Sequence, residues 1–131
     1  MGKLLERLSD AAKSGVYRGT RGDAIDESGL ARTTIDLKAG DPIGAVARAL
    51  RFPDWFGGNW DALEDCLGDL EGENHVLLFL HAERLAADQR GILLDVLRSS
   101  AEYWASRGKP FFAVFVDPEA KLALPALHRE K

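Results

Sequence analysis

The chain of 131 residues is poor in cysteine and proline, with one of the former and five of the latter. With Cys66 alone, no internal disulfide and no cysteine-based metal cluster can form. A reducing, cytoplasmic home is the expectation. Long hydrophobic runs are missing too. Val76–Leu80 and Phe111–Val116 are the main apolar stretches, far short of the ~18 residues of a membrane helix. The opening MGKLLERLSDAAKSG is broken by charges and lacks the apolar centre of a secretory signal. There is no GxGxxG or GKS loop to cradle a phosphate. His75, His81 and His128 show no HxH or HxxxH spacing, so neither a metal nor a cofactor is expected. No repeat or low-complexity segment interrupts the chain.

What is present is an ordinary globular balance, 46% hydrophobic and 29% charged, enough for one domain with its own core. The charge is unevenly placed. Phe52 to Glu83 holds eight acidic residues and no Lys or Arg, a net −8. The remainder has 17 basic and 13 acidic residues, a net +4, and the whole chain is −4. Such asymmetry bears on partners rather than fold. An acidic face repels nucleic acid and attracts basic proteins. Its alternative is a solvated helix face with no partner.

Local patterns give the elements. Lys3 to Lys13 reads as an amphipathic helix, broken by Gly15, Gly19 and Gly22. Arg18 to Gly29 is polar and loop-like. Thr33 to Leu37 is a β-branched strand. Asp41-Pro42 starts a helix, Asp as N-cap and Pro at the first position, ending near Arg51 before Phe52-Pro53. Asn59 caps a helix from Trp60 to Leu70. Val76–Leu80 and Phe111–Val116 are continuous apolar strands of the kind buried on both faces. Between them, Asp88 caps a long helix to Ser106, ended by Gly108. Three strands separated by helices predict a small three-stranded parallel sheet in a three-layer α/β domain. Helices cover both faces, and an extra N-terminal helix is added.

The helix Trp60–Leu70 carries most of the information. On a helical wheel Trp60, Ala62, Leu63, Cys66, Leu67 and Leu70 share one half, and Asp61, Glu64, Asp65, Gly68 and Asp69 the other. Asp61, Asp65 and Asp69 follow at intervals of four, and each like-charge pair costs a few tenths of a kcal/mol. No basic residue offsets them at i±4. A helix selected only for stability would not be written this way. In the preceding loop Trp55 and Phe56 stand beside Gly57 and Gly58, whose bare backbone lets another chain approach. The two aromatics are either core residues or interface anchors. Two exposed carboxylates one turn apart lack the burial on which acid–base pairs rely, so no enzyme is expected. A small hydrolase using Asp61 and the histidines is the chemical alternative, and Cys66 reads as a buried, inert thiol.

FPDWFGGNWDALEDCLGDL resembles the signature of the barstar family, intracellular inhibitors of barnase-type ribonucleases. The family pattern is met by Trp55, Phe56, Gly57, Asn59, Asp61, Ala62, Leu63, Asp65, Cys66 and Leu67. The order of elements from Thr33 to Val116 is also similar. The resemblance implies one barstar-like domain over residues 1–131, with a core at 31–117 and an extension at 1–30. It implies a cytoplasmic protein, monomeric when free. Its partner would be a basic, extracellular-type ribonuclease, with no nucleic acid, membrane or cofactor bound. In that family the loop and helix enter the ribonuclease active site, and carboxylates stand where RNA phosphates would sit. Carried over, Asp65 is the main phosphate mimic, Asp61 the second carboxylate, and Trp55 replaces a tyrosine. Gly58 stands at a family glutamate, Glu64 at a tryptophan, Gly68 at a threonine, and Ser99 near a glutamate of the last long helix. The expected partner-binding set is Trp55, Phe56, Gly57, Gly58, Asn59, Asp61, Ala62, Glu64, Asp65, Gly68 and Asp69. The alternative is a barstar-like interaction module for another basic nucleic-acid-processing protein or a regulatory partner.

Overall fold

The computed structural model of the protein describes residues 14–19, 32–52, 58–70, 75–116 and 124. The expected helix Lys3–Lys13, the aromatic pair Trp55 and Phe56, and Gly57 lie outside the described residues.

Among the described residues the sheet has four strands where three were expected. They are β1 (Gly15–Gly19), β2 (Arg32–Asp36), β3 (His75–Leu80) and β4 (Phe111–Val116), in the order β1-β4-β3-β2 and all parallel. β1 begins where the glycines were expected only to end a helix, and it takes Arg18 and Gly19 out of the expected loop. Its pairing runs from Gly15 opposite Phe112 to Gly19 opposite Val116. Glycine offers a strand no side chain to pack, so the local signal is weak. Val16 and Tyr17 are the strand formers between them, and the Tyr17 ring stacks on Phe112 at 5.8 Å. β2 lies one residue earlier than expected, although the Leu37 N–H still donates to the Leu80 carbonyl at 2.8 Å.

All six residues of β3 are buried, as are the first five of β4. Their side chains alternate between two faces. Leu77, Phe79, Phe111, Ala113 and Phe115 point into one cluster, where Phe79 and Phe115 stack in register at 4.6 Å. Three helices fill that cluster: α1 (Pro42–Leu50), α2 (Trp60–Leu67) and α3 (Ala87–Ser106). Val76, Leu78, Leu80, Phe112 and Val114 form a second cluster with Tyr17 and Val116, to which no described helix contributes. Among the described residues the helices therefore cover one face, not both. No described helix is long and apolar enough to cross a membrane.

The helix starts are built as their sequences dictate, with one exception. Asp41 Oδ1 accepts the Gly44 N–H at 3.0 Å and Pro42 occupies the first turn of α1. Asn59 Oδ1 accepts the Ala62 N–H at 2.7 Å, starting α2. α3 ends as its Gly signal requires, Gly108 adopting φ 76°. Its start differs from expectation. The N-cap is Ala86, which supplies no side-chain bond, and Asp88 lies inside the first turn with Oδ1 on the Gln89 N–H at 2.8 Å. There its charge still meets the positive end of the helix dipole.

Candidate functional site

α2 is oriented by what its apolar side buries. Leu63 and Leu67 are fully enclosed and Cys66 is 6% exposed. That fixes the opposite side, and Asp61, Glu64 and Asp65 are exposed there, with Asp69 just past the helix end. Ala62 and Gly68 are half-buried at its margins, and Asn59 and Gly58 are exposed at its start. Gly58 adopts φ 73° with open space around it. The left-handed backbone, not crowding, is what favours glycine here. The helix stops at Leu67, three residues earlier than expected. The Gly68 N–H then donates to the Glu64 and Asp65 carbonyls at 3.1 Å.

Trp104 on α3 locks the far end of α2. Its Nε1–H donates to the Leu67 carbonyl at 3.0 Å, and its ring lies 5.0 Å from the buried His75 ring. Ser99 Oγ donates to Glu64 Oε2 at 2.8 Å, a second tie between the helices. Between them runs an open groove of about 490 Å³, lined by Glu64, Asp65, Gly68, Asp69, Ser99, Ser100 and Tyr103. Ser100 and Tyr103 were not legible as site residues. They lie more than thirty residues from α2, and only the packing of α3 brings them there.

Among the described residues no Lys, Arg or His forms an ion pair with the charges on this face. The described ion pairs are His81 with Asp36 at 2.7 Å and Arg98 with Asp95 at 3.4 Å. Neither involves Asp61, Glu64, Asp65 or Asp69. Burial pushes the Cys66 thiol up, and the nearby Asp69 and Asp65 carboxylates add to it, so the thiol is a poor nucleophile. His75 and His81 sit at opposite ends of β3, and neither lines the groove. Among the described residues no group of three or more His, Cys, Asp or Glu side chains could hold a metal ion.

Asp61, Glu64, Asp65 and Asp69 thus form an exposed acidic face on a helix whose other side is buried. The family of barstar (barnase inhibitor) matches residues 41–116, more than half of the chain. The chain belongs to the barstar family. Barstar-family proteins are inhibitors rather than enzymes, and they act on ribonuclease partners. The match starts at the N-cap of α1 and ends at the last residue of β4. It includes the whole acidic helix, and β1 and β2 lie outside the matched residues. None of the curated proteins matches the chain.

Proposed function

We propose that the protein inhibits a basic ribonuclease by setting the exposed face of α2, with the loop before it, into the enzyme's active site. The observation that carries this reading is the ladder Asp61, Asp65 and Asp69, for which the chain supplies no described cation. A basic cleft that binds RNA phosphates would supply the missing charge. Opposite potentials would steer the encounter, and desolvation on docking would strengthen each pair. Asp65 is the main phosphate mimic and Asp61 the second. Trp55, Phe56 and Gly57 form the adjoining loop contact, and Gly58, Asn59, Ala62, Glu64, Gly68 and Asp69 border it. In this reading the protein is one domain and a cytoplasmic monomer that shields its own cell and needs no cofactor.

The test is a paired capture from the producing organism, using the wild type and an Asp61→Ala/Asp65→Ala variant as baits. The captured protein is then assayed for RNA cleavage with and without the inhibitor. A small basic ribonuclease held and silenced by the wild type alone is the expected result. Equal capture by both baits would remove the acidic helix from the interface. Capture of a basic protein without ribonuclease activity would replace the inhibitor reading with that of an interaction module.

A further inference from the structure

The second sheet face is covered, but by none of the described helices. Phe112 and Val114 have no exposed surface and Val76 is 1% exposed, as enclosed as the cluster under α1, α2 and α3. The cover has a definite width. Tyr17, opposite Val114 on β1, is half-buried. Thr34 and Asp36, opposite Leu78 and Leu80 on β2, share this face and are exposed. The cover therefore lies over β4 and β3 and stops before β2. Strands lie about 4.8 Å apart and a helix is about 10 Å across, so one helix spans two strands.

We infer that residues 3–13 dock on this face as a helix along β3 and β4 and close the core from the side opposite α2. Leu4, Leu5, Leu8, Ala11 and Ala12 fall within about 120° of a helical wheel, and Lys3, Glu6, Arg7, Asp10 and Lys13 fall outside it. A helix over 3–13 measures about 16 Å, close to the run of β3 or β4 at about 3.3 Å per residue. The point of attachment fits as well. The Phe111 N–H, at the start of β4, donates to Ser14 Oγ at 2.9 Å, so the segment ends beside the strand it covers. Other segments fit less well. Leu124, the described residue of the C-terminal stretch, lies in the first cluster, and its carbonyl accepts the Arg18 Nε–H at 3.2 Å. Residues 20–31 join the two edge strands and are the rival cover. They offer Ile25 and Leu30 as large apolar residues, without helical spacing, beside Asp23, Asp26 and Glu27. The family match at 41–116 contains none of residues 3–13, so the N-terminal stretch completes a core that the matched region leaves open on one side. The inference does not draw on the ribonuclease reading.

The experiment is methyl–methyl NOE spectroscopy of the full chain with labelled Leu, Ile and Val methyl groups. Cross-peaks are expected from Leu4, Leu5 or Leu8 to Leu78 and Val114. Their absence would overturn the inference, and cross-peaks to that face from Ile25 or Leu30 alone would give it to the connection between β1 and β2. Variants add a second reading. Leu8→Ala should lower Tm by roughly 5–15 °C, as for a side chain lost from a core. Glu6→Gln, on the other side of the wheel, should change Tm by less than about 2 °C. Equal shifts in the two variants, or a larger shift in Ile25→Ala than in Leu8→Ala, would overturn the inference. In Leu8→Ala the amide signals of Asp61 and Asp65 should stay in place, because α2 packs on the opposite face. Movement there as large as at Leu78 and Val114 would attach the segment to the acidic helix instead. The NOE measurement needs no variant, so it decides the question even where Leu8→Ala fails to fold.

Discussion

α1 and α2 are near twins in construction and opposites in charge. Each follows an Asp or Asn cap whose side chain accepts a backbone N–H three residues on, and each packs on the same sheet face. α1 then places Arg48 two residues before its end, where a cation favours the helix dipole. In α2 the corresponding position is Asp65, with no basic residue anywhere in the last turn. One helix is written for stability. The other accepts a small, repeated electrostatic cost, which no described cation offsets.

The largest effect expected from this contrast is on binding. Asp65→Ala should weaken the ribonuclease complex by about 3 kcal/mol or more, over a hundredfold in Kd, because a desolvated charge of the partner loses its mate. Calorimetric titration measures the loss, and the variant's urea midpoint should stay near that of the wild type. Arg48→Ala should leave affinity unchanged. Next in size come the caps, where the two helices should behave alike. Asp41→Ala and Asn59→Ala should each lower stability by about 1 kcal/mol in urea unfolding. Smaller still is the exchange of the helices' charge logic. Asp65→Arg should raise folding stability by about 0.3–1 kcal/mol and destroy binding, whereas Arg48→Asp should lower stability by a similar amount and spare binding. A stabilised Arg48→Asp protein would break the comparison.

The smallest expected effect is at a carboxylate the fold does use. Asp36 Oδ1 pairs with His81 Nδ1 at 2.7 Å and accepts the Lys38 N–H at 3.0 Å. These contacts, His81 first, hold its carboxyl below the ordinary value. A folded-state value below the unfolded one stabilises the protein above the ordinary carboxylate range, and the contribution is lost as pH falls through the lowered value. NMR titration should show His81→Ala moving Asp36 back upward, with a correspondingly altered acid limb of stability. An Asp36 titration that does not move would show that the histidine contributes nothing there.

Elements with a complete local signature were legible in the sequence. The β3 and β4 runs are apolar enough to demand burial on both faces, and α1 and α2 announce their starts with Asp41-Pro42 and Asn59. The acidic ladder was legible because all its members sit on one helix, where spacing alone sets the face. β1 was not, since Val16 and Tyr17 stand between glycines and the pairing partner is β4, at the far end of the described chain. The start of α3 was misplaced by two residues because Asp88 serves the first turn without capping it. The groove was hidden for a tertiary reason. Ser100 and Tyr103 are unremarkable on α3 until the Trp104–Leu67 bond sets that helix against α2.

The edge position of β1 also orders events during synthesis. Among the described strands Gly15–Gly19 pairs with Phe111–Val116 alone, so that pairing waits until β4 has been made. A loop of that length closes slowly, and its entropy must be met before the contact forms. The stretch from α1 through α3 emerges in between, carrying the acidic helix. A nascent chain cut short of β4 leaves β1 without its partner among the described strands.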